Sequence, residues 1–345
     1  MAGSPVEQSA ASVAPDGATP PPPPPTVQVL QMHLGALMAQ LLEVVTQNDI
    51  ARRLLDGPRS SDELAQMTGL HEPSLRRVLR TLTGFGLFSR QGDGRFALGP
   101  LGEAAAQLDP YPWLIAVYDE LPRTVATGTT GMQLAHGTSF FEFLAQHPEE
   151  AAHFDKLMTN THAGEKEAVD AYDFSTVDSV VDVGGGNGSF VSVVLPRYDQ
   201  LRGVLFDSPS VIERARPAVA SLGDRCEAVA GDFFDSVPAG HDAYVLSHIV
   251  HDWDEERALT ILRNCHEAMG PNGRLLLVES VVPPGDDPHP AKMLDMMMLL
   301  ATGGMERTED EYADLLSRAG FRLMRVIPTA SPVSVIEAVP TEERA

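Results

Sequence analysis

Val180-Val181-Asp182-Val183-Gly184-Gly185-Gly186-Asn187-Gly188-Ser189-Phe190 decides the fold of this 345-residue chain. Its valine-rich start reads as a buried strand, and the glycines then turn the chain into the apolar beginning of a helix. Glycine at such a turn permits positive φ and lets the backbone approach a ligand closely. In an open α/β sheet the turn falls at the carboxyl end of a strand, where ligands bind. The spacing narrows the ligand. Dinucleotide folds use G-x-G-x-x-G, which would need glycine at 189, and the residue is Ser189. The chain instead has G-x-G-x-G at Gly184, Gly186 and Gly188. S-adenosylmethionine has no pyrophosphate to be cradled at a helix N-terminus, so a displaced third glycine suits it.

Downstream, strand and helix patterns alternate, which implies a mostly parallel sheet with helices on both faces. Strands are expected at 180–183, 204–207, 228–230, 243–247, 274–282, 322–327 and 333–338. The last two are joined by only Pro328-Thr329-Ala330-Ser331-Pro332, too short for a parallel crossover, so they should form an antiparallel hairpin. Asp207 ends the second strand, roughly 20 residues after the glycine turn, where a carboxylate accepts both ribose hydroxyls of a nucleotide. Asp232-Phe233 follows the third strand: the carboxylate suits an adenine amino group and the ring suits stacking on the base. A strand-terminal Asp is also a common helix cap, but three matching features at successive strand ends favour a nucleotide site.

After the fourth strand comes Ser247-His248-Ile249-Val250-His251-Asp252-Trp253-Asp254. Histidine at the carboxyl edge of the sheet suits a general base near neutral pH. A phenolic hydroxyl with pKa near 10 needs such a base to become a nucleophile. His248 and His251 have a spacing open to metal ligation, but no third ligand accompanies them, so no metal is expected.

Upstream, residues 1–25 are small, polar and proline-rich, and read as a disordered tail. From 27 to 55, apolar residues recur at helical spacing, interrupted near Asn48-Asp49, and this broad face must pack against something. Ser60 and Glu63 form a capping box. A helix, a turn at Gly69, a second helix carrying Leu75, Val78, Leu79 and Leu82, and a hairpin about Gly92-Asp93-Gly94 together make a winged helix. Residues 110–172 read as helical, with one long helix over 148–172.

Winged helices often bind DNA, and Arg76, Arg77 and Arg80 lie on the second helix. The net charge of −23 opposes a phosphate backbone or an anionic membrane surface. A scaffold role is preferred. Two cysteines, Cys226 and Cys265, give no disulfide framework. No run of eighteen apolar residues and no secretory pattern are present, so the chain is expected in the cytoplasm.

VDVGGGNG at 181–188, FDSPSV at 206–211, GDFF at 231–234, HDW at 251–253 and GGMERTEDEY at 303–312 resemble the metal-independent small-molecule O-methyltransferases, the family of plant caffeic acid and flavonoid enzymes and of bacterial polyketide-tailoring methyltransferases. The resemblance spans about residues 30–340. It implies an α/β fold with a Rossmann-like methyltransferase sheet in the C-terminal half, preceded by a mostly helical winged-helix dimerisation domain. The expected division is a tail at 1–25, the dimerisation domain at 26–105, a helical linker and substrate lid at 106–172, and an S-adenosylmethionine-binding catalytic domain at 173–345. The resemblance makes His251 the proton acceptor, oriented by Glu279 and Glu306. It places Gly184, Gly186, Asp207, Asp232, Phe233 and Ser247 at the cofactor, although plant members carry lysine at the position of Ser247. Phe154, Met158, Asp252 and Met297 are the candidate acceptor contacts. Met293, Met296, Met297 and Met298 suit either a flexible apolar wall or ordinary core packing. The implied partners are a small aromatic hydroxyl compound and a second copy of the chain, joined through the N-terminal helices. Two alternatives accompany this reading: a relative that uses S-adenosylmethionine for hydroxylation or decarboxylation without methyl transfer, and a winged-helix ligand-sensing regulator.

Overall fold

The computed structural model describes residues 23–161 and 164–341, so most of the proline-rich tail lies outside the described residues. The chain divides into two compact units, Met1–Pro110 and Tyr111–Ala345.

In the first unit, helices span Pro25–His33, Gly35–Gln47 and Ile50–Arg53. The expected interruption occurs at Asp49, which takes a left-handed φ of 53°; a further break at Leu34 separates the first two helices. Leu30, Met32, Leu34 and Leu37 on these helices are exposed. Glutamine and histidine interrupt their apolar face. Pro25–Gln47 is long and apolar enough, by length and composition, to cross a membrane, although it contains no run of eighteen apolar residues.

The capping box is present. Glu63 N–H donates to Ser60 Oγ, and Ser60 N–H donates to Glu63 Oε2 at 2.6 Å. The helices Ser61–Thr68 and Glu72–Thr83 pack Leu64, Leu75, Leu79 and Leu82 against Phe88 and Phe96 of the hairpin strands β1 (Phe88–Arg90) and β2 (Phe96–Leu98). Arg76, Arg77 and Arg80 point to solvent, and Arg76 pairs with Glu72 at 3.4 Å.

In the second unit, seven strands form one sheet: β3 (Ser179–Val183), β4 (Arg202–Asp207), β5 (Cys226–Ala230), β6 (Ala243–Ser247), β7 (Arg274–Ser280), β8 (Phe321–Pro328) and β9 (Val333–Pro340). Their order is β5-β4-β3-β6-β7-β9-β8. Pairing is parallel from β5 through β7. β9 runs antiparallel to both β7 and β8, so the terminal hairpin forms as the short link requires.

The alternating side chains of the strands feed two cores. Val181, Val183, Tyr244 and Leu246 face Leu262 and Leu316, whereas Val180, Val245 and Leu276 face Phe190, Val194 and Leu195. The sequence direction reverses between β3 and β6, which makes the gap between their carboxyl ends the switch point of the sheet. Both the glycine turn and the His251 segment emerge there.

The long helix expected over 148–172 is helical over Pro148–Thr161 and Gly164–Ala171, and residues 162–163 lie outside the described residues. A Cβ on Gly164 would come within 2.9 Å of Val333 Cγ2. Trp113, Met132, Phe140, Phe143 and Leu300 form a separate helical core, onto which Phe154 packs.

Candidate active site

At the end of β3, Gly184, Gly186 and Gly188 adopt φ of 70°, 58° and 81°, conformations that other residues rarely take. A Cβ on Gly184 would lie 2.7 Å from Ile249 Cδ1 and 3.3 Å from Phe233 Cε1, whereas above Gly186 there is open space. The turn is thus walled on one side and open on the other, a cradle for a ligand held by backbone N–H groups. Asp207, at the end of β4, accepts from Gly186 N–H at 2.9 Å and Ser208 N–H at 2.6 Å. Burial raises its pKa, and these two donors oppose the shift. Asp232 accepts from Phe234 N–H at 2.8 Å, so both aspartates also shape their own turns. Phe233 meets Phe234 and Trp253 edge-on, and Trp253 stacks on Phe141 with 5.1 Å between centroids. Ser247 Oγ lies 3.3 Å from His248 Nδ1.

The backbone after β6 is tightly held. His248 takes a positive φ of 55°, unusual for a side chain of its size. Ile249 and Val250 donate their N–H groups to Glu279 Oε1 at 3.1 and 2.8 Å. Val250–Asp252 then forms one 3₁₀ turn. Met305 N–H donates to the His251 carbonyl at 2.9 Å. Only glycine fits at 304, because a Cβ would strike that carbonyl and the peptides that follow it.

His251 Nδ1 lies 2.6 Å from Glu306 Oε1 and 3.5 Å from Glu279 Oε2. Its Nε2 lies 3.8 Å from Asp252 Oδ1. Glu279, at the end of β7, and Glu306 have side chains of 0% exposure. Glu306 is fixed in turn by Asp295, which accepts the Glu306 N–H at 2.9 Å from the helix Pro290–Ala301.

Such burial would push the imidazole pKa down, but Glu279, Asp252 and Glu306 outweigh it and hold His251 up at about 10. Burial raises Asp252 to about 6 against the pull of His251. It likewise raises Glu279 to about 7, opposed by His251 and reinforced by Glu306. His251, Glu279 and Glu306 each offer one donor atom within 4.8 Å of the others, a spacing a metal ion would also accept.

The candidate residues thus fall into three groups. The glycines, Asp207, Asp232, Phe233 and Ser247 lie along the carboxyl edge of β3 to β6. His251, Asp252, Glu279 and Glu306 form one buried charged cluster. Phe154 packs edge-on against Phe140 at 5.1 Å in the helical core, and Met297 is 39% exposed. Met158 is half-buried on the helix Pro148–Thr161.

Sequence reasoning missed Arg307, Tyr312, Asp295 and Asp182. Arg307 was hidden in what looks like a solvated charge run, yet it is 2% exposed. Asp182 is fully buried in β3, with the Val191 backbone N–H beside its carboxyl. Burial, with repulsion from Glu165 and Asp207, drives its pKa well up. The continuous apolar run around it, which marks a strand buried on both faces, was the available signal.

Comparison with known proteins agrees with this architecture. The family model of the O-methyltransferase domain matches residues 118–322. A phenazine O-methyltransferase of Lysobacter antibioticus is 42% identical over 90% of this chain and 95% of its own. The solved structure of a mitomycin 7-O-methyltransferase superposes with a TM-score of 0.84 at 34% identity, covering 92% of this chain and 98% of the other. An O-methyltransferase from neocarzinostatin biosynthesis, crystallised with S-adenosylmethionine and 2-hydroxy-5-methyl naphthoic acid, superposes at 0.75 with 32% identity, covering 88% and 95%. The chain belongs to the O-methyltransferase family and is an S-adenosylmethionine-dependent enzyme of that family.

Proposed function

We propose that the enzyme methylates a hydroxyl, phenolic in character, on a small flat aromatic metabolite, with His251 as the proton acceptor. The observation that carries this reading is the 2.6 Å contact between His251 Nδ1 and Glu306 Oε1. It commits Nδ1 to donating a hydrogen bond, which leaves Nε2 as the nitrogen able to accept a proton. The same contact favours a proton site over a metal site, since that nitrogen's lone pair is already used.

S-adenosylmethionine, when bound, supplies an electrophilic methyl on a positively charged sulfur. Gly184, Gly186 and Asp207 would hold its nucleoside and amino-acid portions, and Phe233 and Trp253 would cover them. His251 Nε2 would take the proton from the acceptor hydroxyl as that oxygen is methylated. Glu279 and Glu306 stabilise the resulting imidazolium.

A base whose pKa is about 10 is matched to a phenol of similar pKa, so the transfer is close to thermoneutral. Positioned proton transfer contributes typically ~10²–10⁴-fold, and holding the oxygen in line with the methyl adds to that. Asp252, 3.8 Å from Nε2, stands where an acceptor hydroxyl would approach. The stacked Phe141 and Trp253 and the exposed Met297 suit a planar apolar substrate.

The test is His251→Ala, assayed by mass spectrometry for a gain of one methyl across a panel of aromatic hydroxy compounds. Cofactor affinity by calorimetry should hold while turnover falls at least ~10²-fold; unchanged turnover removes His251 from the mechanism. The exposed apolar residues of Pro25–His33 and Gly35–Gln47 support a homodimer through these helices.

A further inference from the structure

Arg307 follows Glu306 directly and is 2% exposed. Among the described residues, no carboxylate oxygen lies within 4.0 Å of its guanidinium, although a buried guanidinium ordinarily has such a partner. Its Nη1 donates to the carbonyls of Met305 at 3.2 Å and Val250 at 3.4 Å, and the guanidinium also meets the Tyr312 hydroxyl. The Arg307 backbone is also fixed, since its carbonyl accepts from Val282 N–H at 2.9 Å beyond the end of β7. Val250, the residue before His251, is therefore clamped from both sides: its N–H points at the anionic Glu279 and its carbonyl at the cationic Arg307.

Charge balance gives this clamp its significance. Arginine keeps its charge in a protein interior. The groups facing His251 are Glu279 at the end of β7, Glu306 with Asp295 behind it, and Asp252 and His248 on its own turn. Tyr312, fully buried on the helix Glu309–Arg318, lies near Glu279 and Glu306 with its hydroxyl beside the Arg307 guanidinium. Glu279, Asp252 and Glu306 attract the imidazolium, and Arg307, next to Glu306 in the chain, is a fixed cation of the opposite effect.

We propose that Arg307 is a positioning residue: its buried charge offsets Glu279 and Glu306 and fixes the Val250 carbonyl, so that His251 can exchange a proton with an acceptor. This rests on the reading of His251 as the base.

The experiment contrasts Arg307→Gln, which keeps a donor for the Val250 carbonyl but drops the charge, with Arg307→Lys, which keeps the charge. Two readouts are taken in each variant: the pH profile of kcat/KM for methyl transfer, and the titration of the His251 ring by NMR, assigned with His251→Ala. Without the cation the carboxylates hold the His251 proton harder. The ascending limb should then move up by about one pH unit in the Gln variant, lowering kcat/KM about tenfold below the limb, and should stay near its original place in the Lys variant.

A Gln variant that loses activity equally at all pH, with an unmoved titration, would make Arg307 a structural brace and overturn the proposal. Should Arg307→Gln fail to fold, Arg307→Gln with Glu279→Gln removes one charge of each sign and should recover a folded protein with a limb near its original place. A double variant no more stable than the single one also overturns the idea. The NMR titration does not depend on turnover, so it separates failure of this inference from failure of the base assignment.

Discussion

Glu306→Gln removes one of the three charges that raise His251, the one that also hydrogen-bonds its ring. The amide keeps an oxygen that can accept the Nδ1 hydrogen bond, now made at 2.6 Å to a carboxylate, so the geometry around His251 is retained while one negative charge is lost. His251 and Glu306 have side-chain exposures of 7% and 0%, so solvent screens the pair weakly. An opposite charge within 4–6 Å moves a pKa by about one to three units. Glu279 remains in place, so the lower part of that range applies, and His251 should fall from about 10 to roughly 8–9. The assay is kcat/KM for methyl transfer from pH 6 to 11, run with two phenols of different acidity so that the enzyme's own limb is identified as the one common to both. Its midpoint should move down by about one to two units, and the plateau should drop because a weaker base gains less from proton transfer.

Stability gives an independent check of the same number. A raised histidine pKa stabilises the fold fully below its unfolded value of 6.5, and this contribution is lost as pH rises through about 10. Thermal midpoints of the native protein should therefore decline across that window, and less steeply in the variant. The thiols of half-buried Cys226 and buried Cys265, raised to about 11 and about 12, push in the same direction in both proteins and cancel in the comparison. A folded variant with an unmoved limb and an unchanged stability slope would refute the claim that Glu306 sets the proton affinity of His251.

Three further outcomes are expected. Asp207→Ala should weaken S-adenosylmethionine binding about 10–100-fold by calorimetry, the scale of losing hydrogen bonds to a charged acceptor; an unaltered affinity would take the ribose away from Asp207. Gly185→Ala places a Cβ against the Asp182 carboxyl and 2.5 Å from Leu205 Cδ1, and should destabilise the fold by about 1–3 kcal/mol in denaturant melts; a neutral effect would mean the turn is looser than its geometry indicates. Met32→Glu with Leu37→Glu, on residues 76% and 56% exposed, should shift the protein from dimer to monomer in light scattering; a monomer before substitution, or a dimer after it, counts against the helices as the interface.

Much of the sheet was legible because its signals are local. Valine-rich strands, glycines at their ends and a five-residue link before β9 each constrain the backbone within a few residues, and the seven strands appear where those signals lie. Asp49 was legible for the same reason, as a turn former at the break in a helical pattern. The break at Leu34 was not, because nothing in the residue chemistry distinguishes it from the leucines around it.

The charged cluster shows where local reading stops. Glu279 looks like any residue ending a strand, and Glu306-Arg307 looks like part of a solvated run; pattern alone gives neither a role. Glu279 is buried because β7 is an inner strand, and Glu306 and Arg307 because Gly304 lets their segment pass against the His251 carbonyl, a contact between residues more than fifty positions apart. Family resemblance supplied Glu279 and Glu306, but Arg307 emerged only from its burial. A buried carboxylate pair with one imidazole would trap a proton permanently, and a site that must take and release one needs an opposing charge nearby. That requirement is physical rather than sequential. It makes the residue after Glu306, not another acid, the position to examine next.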